Sequence, residues 1–192
     1  MPAYALSPRR ALWVLDRRLC RAASRWAARR GVQRLFGVVS RLGDGWLWYG
    51  LMAVLALFAG RAGQLAALHM AGTGLVAWLL YRTLKRRTRR PRPFRVHRGV
   101  VARAAPLDEY SFPSGHTLHA FSFSIVAAAW FPVLALPLAV FTLLVAMSRV
   151  VLGLHYPTDV AAGAVLGIAL GTGSLWIGWL INGAWLVKPL LD

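Results

Sequence analysis

Residues 160–180 read VAAGAVLGIALGTGSLWIGWL, a run without a single charged side chain. A membrane-spanning helix needs about 20 predominantly apolar residues, so this run is long enough to cross a bilayer. The whole 192-residue chain has the same character, because 58% of its residues are hydrophobic and only 15% are charged. Soluble domains carry about 25% charged residues. The composition therefore predicts an integral membrane protein, and the single Cys20 excludes a disulfide scaffold.

Four further apolar stretches precede this run, at residues 46–60, 64–81, 117–131 and 132–147. A Gly-Arg-Ala-Gly turn at residues 60–63 separates the first two, which is typical of a helical hairpin. Some stretches are shorter than a full span, but leaving them outside the bilayer would expose large apolar surfaces. The sequence therefore predicts an all-α integral membrane bundle of about five transmembrane helices.

The N-terminal segment, residues 1–41, is basic and amphipathic. It contains 10 Arg residues, and apolar residues recur at steps of three or four: Leu12, Leu15, Leu19, Ala22, Ala23 and Trp26. This spacing predicts an amphipathic helix that lies in the membrane interface, since frequent Arg residues prevent it from spanning. The segment lacks the uninterrupted apolar core of a signal peptide. We therefore divide the chain into this interfacial segment and one membrane-embedded domain at residues 42–192.

Two polar segments, residues 82–115 and 148–159, alternate with the apolar stretches so that both lie on one side of the membrane. The N-terminal segment lies on that side too, because two helices separate it from the first polar segment. This side carries 21 of the 23 Lys and Arg residues, and only Arg61 and Lys188 lie on the other. The positive-inside rule predicts that the more basic side of this inner or plasma membrane protein faces the cytoplasm.

Three polar clusters converge on this basic side, at residues 85–93, 113–116 and 148–159. Together they supply two His, a carboxylate, several cations and a Ser-Gly turn that leads into a helix. Cations neutralise phosphate oxygens, and Arg offers planar, two-pronged donors to them. Backbone N–H groups at a helix N-terminus also donate to anions. The clusters therefore predict a phosphate-binding site.

One pair of residues has the spacing of a nucleophile and its orienting group, because His155 and Asp159 are four residues apart. If the fifth helix begins near His155, both side chains lie on one face and within reach. A carboxylate that binds one ring nitrogen fixes the tautomer and leaves the other free to attack. His116 would then protonate the leaving oxygen and later activate water. No cluster has metal-ligand spacing, so we expect a reaction without a metal or cofactor.

These residues resemble the signature of the type 2 phosphatidic acid phosphatase superfamily of membrane lipid phosphatases. Its pattern is Lys, six residues, Arg-Pro; then Pro-Ser-Gly-His; then Ser-Arg, five residues, His, three residues, Asp. Here Lys85 precedes Arg92-Pro93 by six intervening residues, and the other two motifs match in full. The resemblance covers roughly residues 43–180, and three motifs in this order are highly specific.

The resemblance implies a mechanism and a role for each motif residue. It implies that His155 is the nucleophile that forms a phosphohistidine, that His116 is the general acid and then the base, and that Asp159 orients His155. A further set is implied to hold the phosphoryl oxygens: Lys85, Arg92, Ser114, Gly115 and Arg149. Many members have six spanning helices, whereas here the Arg-rich interfacial helix takes the place of the first. That departure agrees with the charge count, which favours a cytoplasmic site.

These observations predict a lipid phosphatase that acts through a phosphohistidine intermediate. The substrate candidates are polyprenyl diphosphates or monophosphates, phosphatidylglycerol phosphate and phosphatidic acid, which all join a phosphate to an apolar tail. Two alternatives stay open: a phosphotransferase with the same intermediate, and a non-catalytic protein that binds anionic lipid. The net charge of +17 on so hydrophobic a chain favours membrane lipids over nucleic acid as partners. The oligomeric state is left open.

Other polar residues of the chain, and the glycines of the last apolar run, carry further expectations. Asp108 and Glu109 are expected to pair with Arg residues of the first polar segment. Four arginines are expected to meet lipid headgroups rather than the reacting phosphate: Arg86, Arg87, Arg89 and Arg90. The roles of His69 and His119 are left open. A glycine recurs every four residues in the last apolar run, which predicts close helix packing within the bundle: Gly163, Gly167 and Gly171.

Overall fold

The computed structural model describes residues 7–182, and every regular element in that range is a helix. Its α-helices are α1 Pro8–Trp26, α2 Arg30–Arg41, α3 Leu47–Phe58, α4 Gly60–Thr88, α5 Pro93–Val96, α6 Gly115–Trp130, α7 Ala135–Val151 and α8 Pro157–Asn182. A π-type turn, Leu42–Trp46, joins α2 to α3, and a 3₁₀ turn, Pro132–Leu134, leads into α7. The all-α prediction is confirmed for this range. Lys188, counted above on the less basic side, lies outside the described residues.

Three helical segments of the described chain are long and apolar enough to cross a membrane: Gly60–Val96, Pro132–Val151 and Pro157–Gly178. Helices α3 and α6 are shorter, with 12 and 16 residues. A helix of 12 residues is about 18 Å long, whereas the hydrocarbon core of a bilayer is about 30 Å thick. The number of five spanning helices therefore stays a prediction.

The hairpin between α3 and α4 is tighter than the turn predicted at residues 60–63. Only Ala59 separates the two helices, and Gly60 starts α4 with a left-handed φ of 59°. A Cβ on Gly63 would lie 2.0 Å from the carbonyl oxygen of Leu55. Glycine at these two positions lets α4 begin directly after α3. Residues with a Cβ rarely adopt the left-handed backbone of Gly60, and a Cβ at Gly63 would collide with α3. Residues 61–63 are therefore helical rather than part of a turn.

Helix α4 continues beyond residue 81, where the second apolar stretch ends, and runs to Thr88. Leu, Lys and Arg are good helix formers, so the sequence LKRRT at residues 84–88 prolongs the helix. Arg89 ends it with a left-handed φ of 48°. Lys85 therefore lies on a helix, where the sequence predicted a long polar loop.

The N-terminal segment forms two helices, α1 and α2, rather than one. The predicted apolar face of α1 points away from the bundle, since its leucines are 43–52% exposed: Leu12, Leu15 and Leu19. A separate face of small or polar residues is buried against the rest of the protein: Asp16, Cys20 and Ser24. This outward apolar face is what an interfacial helix requires. The interfacial position and the domain boundary at residue 41 stay predictions.

Helix α8 packs on α6 through the glycine stripe. A Cβ on Gly163 would lie 2.6 Å from the carbonyl oxygen of Ser114, and one on Gly167 would lie 2.5 Å from that of Leu118. Only glycine permits such a close approach of two backbones, so the stripe serves packing within the bundle, as predicted. The contact brings the start of α6 beside the start of α8, where the N–H of Ser114 donates to the carbonyl of Asp159 at 3.1 Å.

The main apolar core lies among α3, α4, α6 and α7. Its buried residues include several large side chains: Trp48, Leu55, Met70, Phe123, Trp130 and Leu138. This core holds together the helices whose ends carry the three polar clusters.

Candidate active site

The Pro-Ser-Gly-His motif forms the beginning of α6. Ser114 caps this helix, because its Oγ accepts a hydrogen bond from the N–H of Thr117 at 3.4 Å and lies 2.8 Å from Thr117 Oγ1. Ser is among the preferred residues at this position. The side chain of Ser114, which was predicted to hold a phosphoryl oxygen, is thus engaged in the cap. The first N–H groups of a helix have no partner within it, so those of Gly115 and His116 are available to an anion.

His155 lies in the turn between α7 and α8 and is 1% exposed. Its Nδ1 donates to the carbonyl oxygen of Ser111 at 2.6 Å. Its Nε2 lies 3.3 Å from a terminal nitrogen of Arg92, which always donates, so Nε2 is the acceptor. Both contacts agree on one neutral tautomer, with the proton on Nδ1 and the lone pair on Nε2.

Asp159 lies close to His155 but is not the direct partner of its ring. Asp159 Oδ2 is 3.7 Å from His155 Nδ1, whereas the Ser111 carbonyl is at hydrogen-bond distance. Helix α8 begins at Pro157, two residues after His155, and Asp159 Oδ2 accepts from the N–H of Tyr156 at 2.9 Å. The carboxylate thus caps the start of the helix. The sequence assigned the orienting hydrogen bond to Asp159, but the imidazole N–H of His155 donates instead to a backbone carbonyl.

The charge state of His155 follows from its surroundings. Burial lowers the pKa of this imidazole well below its ordinary value of 6.5, and the positive charges of Arg149, Arg92 and Lys85 lower it further. A neutral imidazole at neutral pH keeps the lone pair that nucleophilic attack requires.

Two of the predicted phosphate-binding cations converge on one carboxylate. Lys85 Nζ lies 2.7 Å from both carboxylate oxygens of Asp108, and Arg92 donates to Asp108 Oδ1 at 2.8 Å. Burial alone would raise the pKa of Asp108, but the hydrogen bonds and charges of Lys85 and Arg92 lower it. The predicted pairing of Asp108 and Glu109 with arginines is confirmed, since Glu109 lies 3.5 Å from Arg95.

Arg149 lies near the end of α7 and is 2% exposed. One of its terminal nitrogens donates to the hydroxyl of Ser40 in α2. Its Nε has no hydrogen-bond partner within residues 7–182. A buried donor without an acceptor is costly, and a bound oxyanion would supply the acceptor.

His116 contacts a carboxylate that the sequence analysis did not single out. Its Nε2 pairs with Oδ1 of Asp44, which lies in the π-type turn before α3. Burial alone would raise the pKa of Asp44, but the hydrogen bond and charge of His116, together with Arg149, lower it. Burial and the charge of Arg149 lower the pKa of His116 to about 4, although the hydrogen bond and charge of Asp44 raise it. The negative charge of a bound phosphate would add to that of Asp44 and favour the protonated form, which a general acid needs.

A cavity of about 760 Å³ joins these groups to an apolar wall. Six of the eight predicted site residues line it: Lys85, Arg92, Gly115, His116, Arg149 and His155. Ser114 and Asp159 are fully buried behind them. Apolar and aromatic side chains of α3 and α4 line another part of the cavity: Trp48, Met52, Ala71, Leu75 and Trp78. The cavity therefore suits a ligand that joins an anionic group to an apolar chain.

Within residues 7–182, no three His, Cys, Asp or Glu side chains are arranged to hold a metal ion. The metal-free reaction stays a prediction.

Two ion pairs link α1 to the site, and the sequence analysis missed both. Arg90, which was expected to meet lipid headgroups, lies 2.7 Å from Asp16 and 2.7 Å from Asp159. The expectation for Arg90 is therefore wrong. A signal was present, because the chain has only six acidic residues against 23 Lys and Arg. Asp16 is the single acidic residue of the basic helix α1, which indicates a specific ion-pair contact.

His119 and His69, whose roles the sequence left open, lie in different places. His119 borders the cavity, with its ring nitrogens 2.9 Å from the carbonyl of Gly115 and 3.3 Å from that of Gly74. His69 instead contacts Ser174 Oγ at 3.0 Å and accepts from Trp130 Nε1 at 3.2 Å. His69 thus joins α4 to α6 and α8 away from the cavity lining.

Known proteins are similar to this chain in both sequence and fold. The profile of the PAP2 superfamily matches residues 65–182. A decaprenylphosphoryl-5-phosphoribose phosphatase from Mycobacterium tuberculosis is 37% identical over 131 residues, covering 66% of this chain and 68% of the relative. The crystal structure of a transmembrane PAP2 type phosphatidylglycerolphosphate phosphatase from Bacillus subtilis has a TM-score of 0.76 and 24% identity, covering 90% of this chain and 88% of that one. LpxE from Aquifex aeolicus gives a TM-score of 0.74 and 27% identity, covering 84% and 95%.

The matched region includes all three motifs, so the family resemblance is confirmed. The relative from Mycobacterium tuberculosis is a phosphatase, which supports a hydrolase acting on phosphoric esters over a non-catalytic lipid-binding protein. This chain belongs to the PAP2 superfamily and is a membrane lipid phosphatase.

Proposed function

We propose that this phosphatase removes a phosphate from a lipid through a phosphohistidine formed on His155, at the cytoplasmic side of the membrane. One observation carries the mechanism: the lone pair of a neutral His155 Nε2 lies in a cavity where Lys85, Arg92 and Arg149 converge. A nucleophile surrounded by fixed cations is suited to a phosphoryl group, whose oxygens need neutralisation as it is attacked.

The reaction proceeds in two balanced steps. Arg92 first transfers its hydrogen bond from His155 Nε2 to a phosphoryl oxygen, which frees the lone pair of Nε2. His155 Nε2 then attacks phosphorus, the P–N bond forms as the P–O bond to the lipid breaks, and the lipid oxygen takes a proton from protonated His116. His116 then accepts a proton from water, whose oxygen attacks phosphorus as the P–N bond breaks and inorganic phosphate leaves. The Ser111 carbonyl, which accepts from Nδ1 at 2.6 Å, holds the ring in place and stabilises the positive charge that the imidazole acquires.

The arrangement of the cations supports a binding position for the phosphoryl oxygens. The Asp108 carboxylate bridges Lys85 and Arg92 at 2.7–2.8 Å, as two oxygens of a phosphate would. The guanidinium of Arg149, another residue of the cavity lining, provides further donors. A dianionic phosphate competes well with one carboxylate for these donors, because charge-assisted hydrogen bonds strengthen with charge.

The apolar wall of α3 and α4 supports a lipid substrate. Trp48, Leu75 and Trp78 line the same cavity as His155, so a tail is accommodated while the phosphate reaches the nucleophile. The relative from Mycobacterium tuberculosis acts, by its name, on a decaprenylphosphoryl compound, and that from Bacillus subtilis on phosphatidylglycerolphosphate. We therefore keep polyprenyl (di)phosphates, phosphatidylglycerol phosphate and phosphatidic acid as the substrate class.

A panel of these lipids tests the proposal, with phosphate release measured from each and from its ester without the tail. We expect at least one lipid to exceed its short ester about 10-fold or more in kcat/KM, because each buried CH₂ contributes about 0.8 kcal/mol. An added alcohol in the assay tests the phosphotransferase alternative by product analysis. Equal turnover of lipids and short esters would contradict the lipid assignment.

The cytoplasmic orientation has its own test. We expect a cysteine introduced at Ser7, in a Cys20→Ala background, to react with a membrane-impermeant maleimide in inverted vesicles and not in intact spheroplasts. The expectation follows from the excess of Lys and Arg on the side of the N-terminal segment. Labelling in intact spheroplasts alone would reverse the orientation.

A further inference from the structure

Asp16 is the only acidic residue of α1, and it lies on the face of that helix that points into the protein. Its side chain is 2% exposed. Oδ1 accepts from the backbone N–H of Thr158 at 3.1 Å, and Oδ2 accepts from the Thr158 hydroxyl at 2.6 Å and from Arg90 at 2.7 Å. A carboxylate this deeply buried persists only when donors satisfy its oxygens. Asp16 therefore ties α1 to the first residues of α8.

Arg90 connects Asp16 to the catalytic region through its side chain. One terminal nitrogen donates to Asp16 and the other to Asp159 Oδ1, each at 2.7 Å. Its guanidinium also lies over the ring of Tyr156, 4.0 Å from the centroid. A planar guanidinium with two fixed partners holds both carboxylates in one geometry.

Arg90 also reaches His155 through its backbone. Its carbonyl accepts from the N–H of Ser111 at 2.9 Å and lies 3.2 Å from the Ser111 hydroxyl. The carbonyl of Ser111 is the group that accepts from His155 Nδ1. Arg90 thus holds both neighbours of that nitrogen, the Ser111 carbonyl directly and Asp159 through an ion pair.

We propose that Asp16 is a positioning residue for catalysis, which acts through Arg90 to set the orientation of His155. The inference rests on the proposed role of His155 as nucleophile. Asp16 lies outside residues 65–182, the part of the chain that the superfamily profile matches. Helix α1 is therefore part of the catalytic apparatus as well as a candidate membrane contact.

The test compares Asp16→Asn with wild type in purified, monodisperse protein, using the best lipid of the panel. The amide keeps an acceptor for Thr158 but turns donors toward Arg90. We expect kcat to fall about 10- to 100-fold, because a misplacement of about 1 Å costs up to about 100-fold in rate. KM is expected to stay unchanged, since Asp16 does not line the cavity. Asp16→Glu, which restores the charge, is expected to recover most of kcat.

Ser24→Ala is the matched control, because Ser24 is buried on the same face of α1 and accepts from the N–H of Val101 without touching Arg90. It is expected to lower the unfolding temperature and leave kcat unchanged. Arg90→Lys, which cannot bridge both carboxylates, should reproduce the kcat loss of Asp16→Asn. If Asp16→Asn does not fold, Arg90→Lys alone tests the proposal. In the double variant the two losses should not add.

Normal kcat in folded Asp16→Asn or Arg90→Lys overturns the inference. His155→Ala is assayed beside them: if it is inactive while these variants are normal, only the positioning role fails. Activity of His155→Ala would instead remove the proposed mechanism itself.

Discussion

Replacing His155 by Ala is expected to lower kcat by more than about 1,000-fold, because it removes the atom proposed to bond to phosphorus. The substitution leaves no charge unpaired, since the buried imidazole is neutral. We therefore expect the purified variant to fold, with an unfolding temperature close to that of wild type. Phosphate release from the best lipid of the panel measures the effect.

The covalent intermediate gives this prediction a sharper form. A substrate carrying labelled phosphate and a good leaving group should transfer label to wild type and, with slower loss, to His116→Ala. His116→Ala lacks the proposed base for the second step but keeps the nucleophile. The label should be acid-labile and stable in alkali, as a P–N bond is. Labelling or near-normal turnover of His155→Ala would contradict the phosphohistidine.

Arg149→Ala is expected to reduce kcat by about 100- to 1,000-fold, which is the typical cost of losing one donor to the developing charge. Its guanidinium is buried beside the nucleophile, and its Nε has no partner among the described residues. Removing it therefore removes a donor that is already oriented and desolvated. Initial rates over a range of lipid concentrations separate the effects on kcat and KM.

Two further variants separate charge from geometry. Arg149→Lys keeps the positive charge but loses the planar donor pattern, so its activity should lie between those of wild type and Arg149→Ala. Arg87→Ala removes an exposed cation at the end of α4 that does not line the cavity, and it should leave kcat unchanged. Equal activity of wild type and Arg149→Ala would exclude Arg149 from the phosphate site.

The chemistry of the site was largely readable from the sequence. Three short motifs contain Lys85, Arg92, Arg149 and the two histidines. An even number of predicted helices separates one motif from the next. An even number of spanning helices predicts that the motifs lie on one side of the bilayer, because each spanning helix reverses the direction of the chain. The cavity then collects six of the eight predicted residues.

The helix boundaries were harder to predict from the sequence. The chain was expected to turn at residues 60–63 and to leave the second helix at residue 81, yet α4 runs from Gly60 to Thr88. Hydropathy marks where side chains become polar, whereas a helix ends where its backbone hydrogen bonds end. Arg and Lys have helix propensities close to that of Leu, so a helix can continue beyond the last residue of an apolar stretch.

By itself, the sequence determined the membrane class, the helical fold and the residue types that meet a phosphate, because hydropathy and motif spacing are local properties of the chain. Only the tertiary structure decided the partners of those residues. His155 is oriented by the carbonyl of Ser111, 44 positions away, and Arg90 bridges to Asp16, 74 positions away. Every residue has a backbone carbonyl, and every buried charged group needs polar partners. The sequence therefore indicates that each of these side chains has a hydrogen-bond or ion-pair partner. Only the packing of the helices determines which residue that partner is.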